Sequence, residues 1–193
     1  MKVGLLFGSF NPVHIGHSAI ANYMYACYRL EEVWWVVTPQ NPLKTAQTLA
    51  GASHRLAMAR LAVAAFPPFR VCDIEFSLPA PTYTIDTLHA LQERYPQHEF
   101  YLIIGSDNWL QLPKWKGFKQ LLSEVELLVY PRLGYELPES AQNPSNIHFT
   151  DAPRLEISSS FIRSAFAKGL LLPCFLSPEV YQYIMQYQLY QTP

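Results

Sequence analysis

Short, continuously apolar runs alternate with longer amphipathic stretches over the first 150 residues, and this alternation constrains the fold more than any other feature. Val33-Trp34-Trp35-Val36-Val37 contains no polar residue, as suits a strand covered on both faces. Comparable β-branched and aromatic runs predict strands at 3–7, 33–38, 70–75, 99–104 and 126–130, with a shorter one at 146–150. Helical periodicity between them predicts helices at 15–29, 53–65, 85–94 and 118–122. Strands separated by helices imply right-handed crossovers, hence an α/β fold with a doubly wound parallel sheet and helices on both faces. Beyond residue 155 the pattern turns to helix only. One helix is predicted over 161–168, stopped by Gly169, and a last one over 180–190, with Ser177 as N-cap and Pro178 in its first turn. A chain of 193 residues supports one good core, so a single domain, 1–193, is expected, with a helical C-terminal part from about 157.

The chemistry is bounded by what the composition leaves out. A formal net charge of −1 gives no electrostatic footprint for long nucleic acid, although local cations can still hold a small phosphorylated ligand. Cys27, Cys72 and Cys174 are scattered and odd in number, which argues against a disulfide framework and for a reducing, cytoplasmic setting. No apolar stretch approaches ~20 residues, so no membrane span is expected.

The first predicted strand runs into Gly8-Ser9-Phe10-Asn11-Pro12-Val13-His14-Ile15-Gly16-His17. The first βα loop of an open parallel sheet is a ligand position, and the helix after it offers unpaired N–H groups that attract anions. Gly8 allows a tight turn, and Gly16 lets a phosphate approach between two imidazoles three residues apart. A lone histidine here would most simply cap a helix or fill the core. The whole decapeptide instead has the makings of a polyphosphate clamp.

Gly-x-Phe-x-Pro-x-His-x-Gly-His resembles the signature of the nucleotidyltransferase superfamily, whose His-x-Gly-His core binds a triphosphate. Ile157-Ser158-Ser159-Ser160-Phe161-Ile162-Arg163 is similar to that superfamily's second signature, Ile-Ser-Ser-Thr-x-x-Arg. By itself, this segment would be an ordinary N-cap; after the first motif it corroborates. Three further segments narrow the resemblance, which spans nearly the whole chain, to bacterial-type nicotinate-nucleotide adenylyltransferases. They are Pro39-Gln40-Asn41-Pro42-Leu43-Lys44, Thr82-Tyr83-Thr84-Ile85-Asp86-Thr87-Leu88, and Gly105-Ser106-Asp107 with Lys114-Trp115 downstream. Asn11 stands where that family commonly has Asp, Ser160 where Thr is common, and Leu133 where proline usually follows Arg132.

The resemblance implies a Rossmann-like fold and transfer of the adenylyl group of ATP to nicotinic acid mononucleotide, with pyrophosphate leaving. Another acceptor, nicotinamide mononucleotide or phosphopantetheine, is the competing reading. His14, His17 and Arg163 are the expected catalytic groups, with His17 at the α-phosphate. Gly8, Ser9, Phe10, Gly105, Asp107, Ser158, Ser159 and Ser160 complete the expected ATP site. Lys44 is equally readable as a phosphate contact or a solvated loop lysine. Asp107 is readable as a ribose or metal-side group or as the N-cap of a helix through Trp109. Trp115 is expected to stack on the pyridine ring while the N–H groups of Thr84 and Lys116 hold its carboxylate. Mg²⁺ is expected to arrive with ATP and keep most of its waters, since no dedicated carboxylate cage is visible. Arg55 and Arg132 receive no role. The tyrosines of the last helix are expected to pack on the body or on a second copy in a homo-oligomer.

Overall fold

The computed structural model describes residues 1–40, 49–136 and 145–191. Lys44, most of its Pro-rich loop and the centre of the irregular 133–146 segment lie outside the described residues. Six strands form one sheet: β1 (Lys2–Gly8), β2 (Glu32–Val37), β3 (Phe69–Cys72), β4 (Glu99–Gly105), β5 (Glu126–Tyr130) and β6 (Ile147–Phe149). Their order is β3-β2-β1-β4-β5-β6, and every neighbouring pair is parallel. The helices are α1 (Ile15–Cys27), α2 (Ala52–Val63), α3 (Thr84–Arg94), α4 (Ser106–Gln111), α5 (Phe118–Glu124), α6 (Ser159–Ala167) and α7 (Pro178–Gln186). This is the doubly wound arrangement expected from the strand–helix alternation.

Strand alternation sorts side chains into two cores. Val33, Trp35 and Val37 of β2 face the layer of α1, α2, α6 and α7, where they meet Met24, Met58, Ile162 and Ile184. Trp34 and Val36 face the layer of α3 and α5 with Leu88, Leu91 and Leu121. Each fully buried residue of this size contributes roughly 1.5–3 kcal/mol, so a strand apolar on both faces is anchored twice over. Gly4 of β1 suits this packing, because a Cβ there would lie 2.7 Å from a Leu30 methyl and 2.9 Å from one of Ile103, and both side chains would have to shift.

Several boundaries differ from expectation, each for a local reason. The third strand stops at Cys72, and Ile74–Phe76 forms a 3₁₀ turn. The turn swings Glu75 inward to only 3% exposure. Helix α6 starts at Ser159 because the Ser158 hydroxyl accepts the Phe161 N–H at 3.1 Å, and it ends before Gly169, whose φ of +74° suits glycine. Helix α7 is capped by Ser177 as expected but ends at Gln186; the chain then turns through left-handed conformations at Gln188 and Tyr190.

Candidate active site

In the order β3-β2-β1-β4-β5-β6 the connections reverse direction between β1 and β4, which opens a crevice at the strands' C-terminal ends. A cleft of about 650 Å³ lies there. Its walls come from Gly8 to Asn11 after β1, Asp107 after β4, Arg132 after β5, and the N-terminal turns of α1 and α6. Gly8, Ser9, Phe10, His14, His17, Asp107, Ser158, Ser159, Ser160 and Arg163, all singled out in the sequence, line this one space.

The first loop is held from below. Phe10 adopts a left-handed φ of +46°, costly for a residue with a Cβ. Its ring, 2% exposed, stacks on Trp35 at 5.3 Å and meets the edge of His17 at 5.1 Å. Gly8 faces that ring; a Cβ would approach it to 3.0 Å. Phe10 therefore shapes the loop and supports His17 from beneath.

The two histidines divide their work. The His14 N–H donates to His17 Nδ1 at 3.2 Å, while the His17 N–H donates to the His14 carbonyl at 2.9 Å. An Nδ1 that accepts must leave the ring proton of neutral His17 on Nε2, so His17 carries a donor there. The rings lie 3.8 Å apart. Burial, assisted by the nearby Arg132 charge, pushes His14 down to about 4, so it is neutral at pH 7. Its Nδ1 is buried without a partner, as are Ser9 Oγ and Asp107 Oδ1. Unpaired buried polar atoms are uncommon in folded proteins, and three of them gather at this cleft.

The second motif is stitched onto the first. Ser159 Oγ donates to the Pro12 carbonyl at 2.8 Å, and Arg163 Nη1 donates to the Asn11 carbonyl at 2.8 Å. Arg163 Nη2 also donates to Ser160 Oγ at 3.2 Å. The Ser158 side chain is spent on capping, so its contribution is to aim the helix N-terminus, whose Ser159 and Ser160 lie at the cleft wall.

Asp107 occupies the second position of α4, whose N-cap is Gly105, so the capping alternative falls. Its Oδ2 lies 3.4 Å from Arg132 Nη1, and the Arg132 N–H donates to Ser106 Oγ at 2.9 Å. Gly105 makes room for this pair, since a Cβ would come within 2.4 Å of Asp107 Oδ1. Arg132, unassigned from sequence, is thus a second guanidinium in the cleft. Arg55 is different. Its side chain is 1% exposed and donates to the carbonyls of Ser9, Thr38, Pro39 and Ala50, tying the loop after β1 to both ends of the β2–α2 connection beneath the site.

Thr84, Trp115 and Lys116 do not line this cleft; the fold brings the start of α3 and the 116–117 turn together on a separate flank. The Lys116 ammonium bonds both Asp86 oxygens, at 2.8 and 3.0 Å, and lies 4.8 Å over the Tyr83 ring. Gly117, with φ +65°, packs against Ile85. Thr84 begins α3, which has no side-chain cap, and half-buried Trp115 packs beside the second core. Glu75 supports this flank: its carboxylate accepts the Thr82 and Thr87 hydroxyls, both at 2.9 Å. Burial pushes Glu75 up, and the threonine hydroxyls oppose that shift. No local sequence pattern marks Glu75; its partners arrive from another segment.

A parallel sheet with two imidazoles, two guanidiniums and two helix N-termini at its switch point fits a nucleotide-binding α/β protein of the group-transfer type. The cytidylyltransferase-like family profile matches residues 5–165. Curated relatives named probable nicotinate-nucleotide adenylyltransferase include one from Bacteroides fragilis, 49% identical and covering 96% of this chain and 92% of its own. One from Cytophaga hutchinsonii is 44% identical over the full length of both chains. A solved Plasmodium falciparum nicotinic acid mononucleotide adenylyltransferase complexed with NaAD shares the fold, with a TM-score of 0.83 at 22% identity, covering 98% of this chain and 97% of that one. The chain belongs to the cytidylyltransferase-like family and, within it, to the nicotinate-nucleotide adenylyltransferases.

Proposed function

We infer that this cleft transfers the adenylyl group of ATP to nicotinic acid mononucleotide, releasing pyrophosphate and forming nicotinic acid adenine dinucleotide for NAD biosynthesis. The observation that carries the reading is the stitching of two distant motifs, Ser159 to Pro12 and Arg163 to Asn11, around one cationic cleft. Such a cleft binds a triphosphate across the seam and holds both ends of a breaking phosphoanhydride.

The acceptor's phosphate is ionised at neutral pH and needs no general base. Catalysis therefore rests on alignment and charge stabilisation. The His17 Nε2–H donates to the α-phosphate as negative charge builds there. Neutral His14, the N-terminus of α6 and the planar fork of Arg163 receive the β- and γ-phosphates and the departing pyrophosphate. Arg132 adds positive charge on the facing wall. Neither histidine is set up as a nucleophile, since His17 Nδ1 is already accepting and His14 is buried.

Among the described residues no cluster of three or more His, Cys, Asp or Glu could hold a metal ion, and Asp107 is the carboxylate at the cleft. That donor set suits a cation carried chiefly by phosphates and water. Mg²⁺ bound with ATP would meet Asp107 and neutralise phosphate charge.

For the acceptor, Trp115 stacks on the pyridine ring and the N–H groups of Thr84 and Lys116 hold the carboxylate. The support is the Lys116–Asp86 ion pair, which brings the start of α3 against the residues that follow Trp115. Among the described residues no helix is long and apolar enough to cross a membrane. The three cysteines are free, and together these features support a cytoplasmic enzyme.

The test is pyrophosphate release with ATP and each of three acceptors: nicotinic acid mononucleotide, nicotinamide mononucleotide and phosphopantetheine. The nicotinate compound is expected to give by far the highest kcat/KM. Equal use of the amide, or a preference for phosphopantetheine, overturns the acceptor assignment.

A further inference from the structure

The last residues of the described chain reach the phosphate loop. After α7 the Leu189 N–H returns to the Ile184 carbonyl at 3.0 Å, and Gln188 and Tyr190 take φ values of +50° and +65°. Neither is glycine, so each carries a backbone cost that the surrounding contacts must hold. The Tyr190 ring packs on the first core, and its hydroxyl donates to Asn11 Oδ1 at 2.8 Å, across 179 positions of sequence. The same oxygen accepts the Ala50 N–H at 3.0 Å, and the Asn11 carbonyl accepts Arg163. Asn11, 3% exposed, is thus the point where the C-terminal tail, the loop before α2 and the second motif meet the first. Burial raises the Tyr190 phenol far above its usual range, although Arg163 and Arg55 nearby oppose this, so it remains a donor at every working pH.

We propose that Tyr190 is a positioning residue for adenylyl transfer, holding Asn11 so that the phosphate loop and Arg163 keep their shared geometry. The C-terminal tail then completes the ATP site without touching the nucleotide. The proposal rests on the adenylyl-transfer reading above. It assigns to the tail a role on the ATP side only, since the acceptor residues lie at the other flank.

The test removes single oxygens. Tyr190→Phe deletes the donor but leaves Asn11 Oδ1 paired with Ala50, so the loss is that of one neutral hydrogen bond. The kcat/KM for ATP should fall about 3- to 10-fold, with the acceptor KM unchanged. Tyr183→Phe is the control, because it breaks another tyrosine bond from α7, Tyr183 Oη to His54 Nδ1 at 2.9 Å, that does not involve Asn11. It should match Tyr190→Phe in thermal stability and wild type in kinetics. Asn11→Ala in the presence and absence of Tyr190→Phe tells whether the tyrosine acts through Asn11; the second change should then add little to the first. Wild-type kinetics in Tyr190→Phe, equal losses in both phenylalanine variants, or fully multiplicative losses in the double variant would each overturn the proposal. A wild-type protein with no adenylyl transfer would instead overturn the underlying reading.

Discussion

His14 ties the site to the stability of the whole chain. Its ring is 7% exposed, and in the folded protein it titrates near 4, against an ordinary value near 6.5. A folded value depressed in this way means that the unfolded chain takes up a proton which the folded one refuses. The contribution is therefore intact above about pH 6.5 and is lost progressively as pH falls toward 4. Integrated from pH 7 to pH 5, the loss is about 2 kcal/mol. His14→Asn keeps a side chain favoured at an N-cap and cannot titrate. Urea unfolding of both proteins at pH 7 and pH 5 measures the difference directly, because the other histidines titrate in both. Wild type should lose about 2 kcal/mol more than the variant over that interval. Parallel pH profiles would show that His14 is not held neutral by burial, and the division of labour between the two histidines would fail with it.

The remaining predictions concern rate and selectivity. His17→Ala should lower kcat by at least ~100-fold with little change in thermal melting, because the donor is used chiefly in the transition state. Arg163→Lys keeps the charge but loses the fork that spans Asn11 and Ser160, so ATP KM should rise and turnover fall; full activity would reduce Arg163 to a diffuse positive field. Lys116→Pro removes one backbone donor, and the preference for nicotinate over nicotinamide mononucleotide should shrink by about 10-fold, the cost of one lost charge-assisted bond. An unchanged ratio would remove Lys116 from the carboxylate site.

Features carried by local chemistry were legible in the sequence. Val33 to Val37 could only be a strand covered twice, and the glycines and histidines of residues 8–17 mark a loop built for anions. The cap at Ser177 is equally plain, whereas α6 begins two residues before the expected 161. What escaped depends on partners distant in the chain. Glu75 continued an alternating run and so extended the third strand on paper; its inward turn is compensated by Thr82 and Thr87. Arg55 looks like any helix-start arginine until four carbonyls from two loops converge on it. No local pattern gives Arg132 a role, and only the sheet order brings it opposite the first motif. Tyr190 reads as one more packing tyrosine of the last helix; no periodicity reports a bond to Asn11.

The proposed adenylyl transfer is a single displacement at the α-phosphorus, performed by the acceptor phosphate with no enzyme nucleophile. The measurement that reaches this claim most directly uses ATP made chiral at that phosphorus by one sulfur, followed by determination of configuration in the dinucleotide product. One in-line attack requires inversion, and inversion is the predicted result. Net retention would demand two displacements through a covalent adenylyl-enzyme, with His14 or His17 as the evident carrier, and would contradict the assignment of both histidines as hydrogen-bonding groups.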